Sequence, residues 1–310
     1  MKEVVKVSSL TKIYGDRVKV GPISLTIREN EVFGLVGPNG SGKTTTLRAV
    51  LGLLRPTSGE VKVFGLSPFA VPQKVNHRIG YSPEIPVFPP FFSAEKLLKT
   101  TCVMKGITGK AADQQVKQIL ELTGLVNHSH RKVGNFSKGM IQRLSIGQAL
   151  VGDPPLLVLD EPMLGVDPVG RAHIRDVLVE LKKQGKTILF SSHELYEVER
   201  LSDRIGMIYL GRTVLEEDVG KLRTSKKAVA VTLSRPVEKI LLSALQEIEG
   251  VSEIIADGTT LKITWEGNMD PREKIAEKIV ASGRGLLEMR MVERSLEDIF
   301  IAKVKEGVDG

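Results

Sequence analysis

The sequence predicts an α/β fold built on a helix-covered parallel sheet, followed by a small α+β domain. Apolar runs of strand length alternate with helical patterns as far as about residue 223, and this alternation favours a parallel sheet. Residues 228–300 then follow the order strand, helix, strand, strand, helix, strand, which is typical of a ferredoxin-like arrangement. Two domains are therefore expected in this chain of 310 residues, at 1–223 and 224–310.

The composition limits the class of protein. Hydrophobic residues make up 41% of the chain and charged residues 26%, as in ordinary globular proteins. No apolar run approaches the roughly 18 residues of a membrane span, and the N-terminus lacks a secretory core. The single cysteine, Cys102, excludes an internal disulfide framework and favours a reducing cytosol. The net charge of +7 suits a nucleotide, an anionic membrane face or nucleic acid. A basic surface that is simply solvated is the alternative to an anionic partner. The sequence contains no dense basic run, so we expect no nucleic-acid partner.

The chain opens with two strands, predicted at residues 4–10 and 18–27. Tyr14 lies between them, where an exposed ring is positioned to stack on a base, although an aromatic residue beside a turn more often serves packing. A short apolar run at 31–36 has the length of a buried strand, and a helix is predicted to follow from Thr45. A loop between a buried strand and a helix is the setting in which phosphate-binding motifs occur.

The segment between that strand and helix fits the phosphate-loop pattern G-x-x-x-x-G-K-[ST]. Its residues, all assigned to nucleotide binding, are Gly37, Pro38, Asn39, Gly40, Ser41, Gly42, Lys43, Thr44 and Thr45. The glycines permit backbone angles that a side chain forbids, so the loop can turn its N–H groups inward around an anion. Lys43 would reach the β- and γ-phosphates, and the Thr44 hydroxyl would ligate Mg²⁺. A glycine-rich turn that merely contains a lysine is the alternative, and both flanks argue against it.

Short strands are predicted next at 60–64 and 79–84, the second ending in the polar residue Glu84. Helical spacing follows at 93–104 and 113–122, with Ser93 and Asp113 as N-caps. Ser137 is predicted to cap a further helix that runs to Val151. Residues of about 85–150 therefore form a helical subdomain in this interpretation.

Two later strands deliver polar side chains to one edge of the sheet. Residues 156–162 carry Asp160 and Glu161 at their end, and residues 186–191 lead into Ser192 and His193. Ligands of parallel α/β sheets bind at the carboxyl ends of the strands, so these groups are expected to meet the phosphate loop. Solvation of a strand end by two adjacent carboxylates is the alternative.

The order of these pieces resembles the nucleotide-binding subunit of ABC transporters across residues 1–223. The matching positions are the aromatic Tyr14, the phosphate loop Gly37–Thr44, the Q-loop position Glu84, the signature residues Ser137 and Gly139, the strand-end pair Asp160 and Glu161, the D-loop residue Asp167, and the switch histidine His193. The resemblance implies a P-loop (RecA-like) ABC ATPase core with β and α-helical subdomains. The C-terminal part looks like the accessory domain often attached to ATPases of exporters with a separate membrane subunit.

The resemblance implies ATP and Mg²⁺ as cofactors. Asp160, with Thr44 and Glu84, would hold Mg²⁺ and neutralise phosphate charge. Glu161 would orient or deprotonate the attacking water, and His193 would contact the γ-phosphate.

The resemblance also implies a head-to-tail homodimer. Ser137 and Gly139 of one copy would clamp the ATP held by the other, and Asp167 is counted with them among the nucleotide-binding residues. One chain carries one phosphate loop and one signature, so two equivalent composite sites are expected.

Three departures from the family pattern bear on the site. The signature reads Phe-Ser-Lys-Gly-Met, in which Lys138 adds charge and Met140 removes an amide. The Q-loop position is Glu84 rather than glutamine, so a bound Mg²⁺ or water would face an added negative charge. Met163 and Leu164 replace the small or polar residues usual before the D-loop. None of the three removes a catalytic group.

The expected partner is an integral membrane permease encoded as a separate chain, with this chain peripheral at the cytoplasmic face of the membrane. The alternative is a soluble ABC-superfamily ATPase that acts on nucleic acid or ribosomes, which usually has a coiled-coil insert or two cassettes. The C-terminal domain either senses a ligand that gates the ATPase or extends the dimer interface.

Overall fold

The computed structural model describes residues 2–15, 18–224, 227–265, 269–293 and 296–308. The strands are β1 (Glu3–Tyr14), β2 (Val18–Arg28), β3 (Val32–Val36), β4 (Ser58–Val63), β5 (Ile79–Ser82), β6 (Leu156–Leu159), β7 (Thr187–Ser192), β8 (Arg204–Tyr209), β9 (Arg212–Asp218), β10 (Lys227–Leu233), β11 (Val251–Asp257), β12 (Thr260–Trp265) and β13 (Leu286–Glu293). The α-helices are α1 (Lys43–Val50), α2 (Pro72–Asn76), α3 (Ala94–Met104), α4 (Gly109–Leu122), α5 (Lys138–Leu150), α6 (Pro168–Lys183), α7 (Leu195–Leu201), α8 (Val219–Thr224), α9 (Lys239–Gln246), α10 (Arg272–Ala281) and α11 (Leu296–Val308).

The chain divides into two compact units, Met1–Glu217 with Lys303–Gly310, and Asp218–Ala302. The domain boundary between residues 223 and 224 stays a prediction, as does the extent of the helical subdomain at 85–150. Among the described residues, no helix combines the length and the apolar character needed to cross a membrane.

A six-stranded sheet in the order β5-β6-β7-β3-β8-β9 forms the centre of the first unit. Strands β5, β6, β7, β3 and β8 pair in parallel, as the alternation of strands and helices predicts. Every residue of β3 and β6 is buried, which is expected of strands covered by helices on both faces. Strands β8 and β9 were not among the predicted elements, and β8 lies beside the strand that enters the phosphate loop.

A three-stranded antiparallel sheet, β2-β1-β4, packs its apolar side chains with those of the central sheet in one core. The predicted end of the first strand at residue 10 is wrong, because β1 continues to Tyr14. Lys12, Ile13 and Tyr14 pair with Val20, Lys19 and Val18 across the hairpin. The polar composition of this end conceals the pairing, since its side chains are only partly buried or exposed.

Helices α3, α4 and α5 pack together between β5 and β6 in chain order. Ser93 caps α3 by accepting a hydrogen bond from the Lys96 N–H at 3.2 Å, as predicted. The prediction of Asp113 as an N-cap is wrong, because α4 begins at Gly109 after Thr108. The Asp113 carboxylate instead forms an ion pair with Lys99 at 2.8 Å. Cys102 is fully buried in α3, and desolvation raises the pKa of its thiol.

The second unit contains a four-stranded antiparallel sheet in the order β11-β12-β10-β13, with α9 and α10 in the crossings. This βαββαβ order confirms the ferredoxin-like prediction. One face of the sheet and the two helices enclose a core of apolar side chains, which includes Val229, Leu245, Ile263, Trp265 and Ile275. The prediction did not include α8 or the final helix, α11.

Candidate active site

The phosphate loop joins β3 to α1, as the motif requires. Gly42 has φ of 111°, a left-handed conformation that favours glycine, and it immediately precedes α1. A Cβ atom at Gly42 would lie 2.7 Å from Cγ1 of Val20. At Gly37 a Cβ atom would lie 2.1 Å from the backbone oxygen of Ile208. The glycines therefore let this loop close against its neighbours while the first turn of α1 stays open to an anion.

Lys43 is held inside the loop. Its ammonium group donates hydrogen bonds to the backbone oxygens of Gly37 at 2.7 Å and Pro38 at 3.3 Å. It also lies 3.3 Å from Oε1 of Glu161, and both side chains are buried. Within the described part of the chain, the buried hydroxyl of Ser41 has no hydrogen-bond partner. A buried cation and an unpaired hydroxyl together suit a phosphate group.

Asp160 and Glu161 follow β6, and Ser191 near the end of β7 connects them. The Ser191 hydroxyl donates to Oδ1 of Asp160 at 2.7 Å and accepts from the backbone N–H of Glu161 at 2.9 Å. Glu161 has φ of 47°, which is uncommon for a residue with a side chain. Such strained conformations cluster at functional sites, where the surrounding contacts maintain them.

His193 follows β7 and contacts the same carboxylate. Its Nδ1 lies 2.9 Å from Oε2 of Glu161, while Lys43 lies near Oε1. Glu161 is therefore placed between a cation and an imidazole, which fixes both of its oxygens. Nearby, burial and the negative charge of Asp160 raise the pKa of the Tyr81 hydroxyl.

Residues of the phosphate loop, Glu161 and His193 line one cleft of about 380 Å³. Its walls are Val20, Asn39–Thr45, Glu84, Glu161, Leu164 and His193. Tyr14 lies beside this cleft, because its hydroxyl is 3.2 Å from Oγ1 of Thr45. Its side chain is exposed, as stacking on a base requires. The structure thus brings together the phosphate loop, Glu84, the strand-end carboxylates and His193.

Seven of the predicted site residues do not line this cleft. Four of them adjoin residues that do, namely Tyr14, Gly37, Pro38 and Asp160. The other three are Ser137, Gly139 and Asp167. Ser137 caps α5 by accepting from the Met140 N–H at 3.3 Å, which confirms the predicted cap. A Cβ atom at Gly139 would lie 3.1 Å from Cγ1 of Val166, so this glycine packs closely beside α6. Asp167 caps α6 by accepting from the Gly170 N–H at 2.8 Å. Within one chain, these residues form a second surface next to the start of α6.

Ser191 is a polar residue of the site that the sequence interpretation missed. It was included in a buried strand and was not assigned a role. The signal that could have identified it is a polar residue in an otherwise apolar strand, since a buried hydroxyl needs a hydrogen-bond partner.

The fold and the cleft define the class of protein as a P-loop α/β nucleotide-binding protein.

Comparison with known proteins identifies the family. The family model described as ABC transporter matches residues 20–164. The chain is 34% identical over 312 residues to the bacitracin transport ATP-binding protein BcrA of Bacillus licheniformis, with 100% of each chain covered. It is 40% identical over 211 residues to the Nod factor export ATP-binding protein I of Burkholderia lata, covering 67% of this chain and 68% of that protein. The chain therefore belongs to the ATP-binding proteins of ABC transporters.

A solved structure supports the same assignment. An ATP-binding cassette in a dimeric post-hydrolysis state, bound to ADP and Pi, matches with a TM-score of 0.63 and 26% identity. The match covers 69% of this chain and 98% of that one. The protein is thus an ATP-binding and ATP-hydrolysing subunit of a transporter, as predicted, and the alternative of an ATPase acting on nucleic acid or ribosomes is not favoured.

Proposed function

We propose that this chain hydrolyses ATP in its phosphate-loop cleft to drive export through a separate membrane permease. The observation that carries the proposal is the convergence of Lys43, Glu161 and His193 in one cleft of about 380 Å³. A buried cation suits the phosphates, and a buried carboxylate beside them suits activation of water.

Glu161 is the proposed general base. One of its oxygens faces Lys43 at 3.3 Å and the other faces His193 at 2.9 Å, so its orientation is fixed before substrate binds. Pre-organised groups reduce the reorganisation that a reaction requires. His193 holds the carboxylate in place and lines the same cleft as the phosphate loop, which supports its proposed contact with a γ-phosphate. Lys43 and the backbone N–H groups of residues 39–45 bind the phosphate chain.

Mg²⁺ is the proposed metal, held by the Thr44 hydroxyl and the carboxylates of Asp160 and Glu84. Hard oxygen donors of this kind suit Mg²⁺, which typically takes one or two carboxylates and completes its shell with phosphates and water. Across the described ranges no group of three or more His, Cys, Asp or Glu side chains is arranged to hold a metal ion. Bound there, Mg²⁺ would neutralise phosphate charge.

The proposed active form is a head-to-tail homodimer. Ser137 and Gly139 lie at the N-terminus of α5, outside the cleft of their own chain, and Asp167 lies at the N-terminus of α6. A helix N-terminus attracts phosphate, so these residues are suited to the ATP of a second copy. The dimeric state of a similar cassette with ADP and Pi supports a dimer.

Export through a permease is proposed from the relatives and from an exposed apolar loop. Relatives bear the names bacitracin transport and Nod factor export ATP-binding proteins. After Glu84, the side chains of Ile85, Val87 and Phe91 are 74%, 86% and 68% exposed. Exposed apolar groups of this size suit a partner protein. The loop follows Glu84, which lines the cleft, and this connection suits the transmission of ATP-driven motion. The chain would then be peripheral at the cytoplasmic face of the membrane.

Purification from membranes of the native source tests this proposal. The expected result is co-purification with an integral membrane protein in stoichiometric yield, and loss of that partner when Val87 and Phe91 are both changed to Ser. The matched control changes Val103 and Met104 to Ser, two exposed apolar residues at the end of α3. A chain recovered entirely without an integral partner contradicts the export proposal.

A further inference from the structure

We infer that Arg171 is a positioning residue that couples the loop before α6 to Glu161 and His193. The inference rests on the proposed function, because it assigns Arg171 a role in the hydrolysis proposed for that cleft. Arg171 lies in the first turns of α6 and lines no part of the cleft. Its guanidinium group nevertheless contacts two segments that do.

The first contact is with the loop that carries Leu164 and Asp167. Nε of Arg171 donates to the backbone oxygen of Val166 at 2.9 Å. The same loop is anchored to the catalytic strand end, because the Leu164 N–H donates to the backbone oxygen of Glu161 at 3.1 Å. Arg171 therefore holds one end of a short loop whose other end begins at the proposed base.

The second contact is with the segment that follows His193. Nη1 of Arg171 forms a close ion pair with Oε2 of Glu194. Glu194 precedes α7, and its backbone N–H is fixed by the Ser192 hydroxyl at 3.0 Å. The neighbouring residue, His193, contacts Oε2 of Glu161 at 2.9 Å.

These contacts form a closed chain that begins and ends at Glu161. The first half runs from Glu161 through Leu164 and Val166 to Arg171. The second half runs from Arg171 through Glu194 and His193 back to the Glu161 carboxylate. Glu161 needs such support, since its φ of 47° is strained. A displacement of the loop at Asp167 would reach His193 through the guanidinium group of Arg171, which binds both segments. In the proposed dimer, the second copy docks at that loop. Arg171 would therefore transmit the effect of this docking to the Glu161 carboxylate.

The chemistry requires arginine at this position. A guanidinium group presents several donors in a fixed plane, so it can serve a backbone oxygen and a carboxylate at once. Lysine keeps the charge but offers a single nitrogen on a flexible stem. Arg171 reaches its two acceptors from two different nitrogens, Nε and Nη1. A single lysine nitrogen cannot occupy both positions, so we expect lysine to retain the pair with Glu194 and to lose the contact with Val166.

The same two helices contain a matched control. Arg175, one turn along α6, pairs with Glu197 in α7 at 3.0 and 3.1 Å. The Glu197 side chain is 5% exposed, whereas that of Glu194 is 33% exposed. The Arg175 pair is thus the more buried of the two, but it contacts neither the loop before α6 nor the segment beside His193. If both ion pairs served only to stabilise the fold, loss of Arg175 would damage the protein more than loss of Arg171.

The test measures kcat and KM for ATP hydrolysis and Kd for an ATP analogue, with Tm, for Arg171→Gln, Arg171→Lys, Glu194→Gln and Arg175→Gln in the full-length chain. We expect Arg171→Gln and Glu194→Gln to lower kcat by about tenfold to a hundredfold, as small misplacements of catalytic groups do, with Kd changed less than about threefold. A variant that combines Arg171→Gln with Glu194→Gln should be no slower than the slower of these two single variants, because both substitutions remove the same connection. Arg171→Lys should recover part of the loss, and Arg175→Gln should lower Tm more than kcat.

Two results overturn the inference. One is equal kcat for Arg171→Gln and Arg175→Gln, and the other is full activity in Arg171→Lys and Arg171→Gln. If Arg175→Gln does not fold, Arg175→Lys serves as the control. Failure of the proposed function is distinguishable, because it would appear as wild-type turnover in Glu161→Gln whatever happens at Arg171.

Discussion

Glu161→Gln removes the proposed base with little change in shape. Gln has the same length as Glu, so it can still accept near Lys43 and contact His193. It cannot accept a proton from water. The carboxylate lies 3.3 Å from the Lys43 ammonium, with both side chains less than 10% exposed, so the change also removes a buried charge from beside a buried cation.

The structure gives the scale of both effects. Two unit charges at 3.3 Å attract by about 5 kcal/mol at an effective dielectric constant of 20, but desolvation of the two ions offsets most of this. Lys43 also keeps its hydrogen bonds to Gly37 and Pro38, so we expect a loss of about 1–3 kcal/mol in the free energy of unfolding. General-base catalysis typically contributes about 10²–10⁴-fold, so kcat should fall by that factor.

The assay compares steady-state ATP hydrolysis with equilibrium binding of an ATP analogue, and Glu60→Gln, an exposed residue on β4, is the control. Binding should be unchanged or tighter in Glu161→Gln, since a negative charge next to the phosphates has been removed. Turnover within threefold of the wild-type rate would refute the assignment of Glu161 as the base. Loss of binding together with turnover would instead mean that the carboxylate maintains the phosphate loop.

The remaining predictions concern the loop and the strand end. Gly42→Ala should abolish binding of an ATP analogue and lower Tm, because its φ of 111° disfavours a side chain and its Cβ would lie 2.7 Å from Val20; unchanged binding would contradict this account of the loop. Ser191→Ala should lower kcat and raise the Mg²⁺ concentration needed for half-maximal activity by about tenfold to a hundredfold, because Asp160 loses the group that orients it. Ser243→Ala, on an exposed helix position, is its control, and an unaltered Mg²⁺ requirement in Ser191→Ala would show that Asp160 needs no such support.

Local patterns were sufficient to predict much of this fold. The phosphate loop, the caps at Ser93 and Ser137 and the βαββαβ order all depend on residues close together in the sequence. Contacts between distant segments were not predictable in the same way. Ser191 became visible as a site residue only once β6 and β7 were neighbours, and the pair of Arg171 with Glu194 required the spatial relation of α6 to α7. Asp113 misled the prediction because an acidic residue near a helix start resembles a cap, although Lys99 on α3 is its partner.

The proposed dimer assigns residues of one chain to the ATP of the other. Ser137, Gly139 and Asp167 lie outside the cleft of their own chain, and the proposal places Ser137 and Gly139 on the ATP of the partner. Their roles, like those of Thr44, Asp160 and Glu84 toward Mg²⁺, stay predictions.

The most direct test is a crystal structure of the Glu161→Gln chain with ATP and Mg²⁺. The account predicts a head-to-tail dimer, with the phosphates contacting Lys43 and the metal about 2.1 Å from the Thr44 hydroxyl oxygen. Ser137 of the second copy should contact the γ-phosphate. ATP bound outside the phosphate-loop cleft, or a dimer in which Ser137 faces solvent, would contradict it.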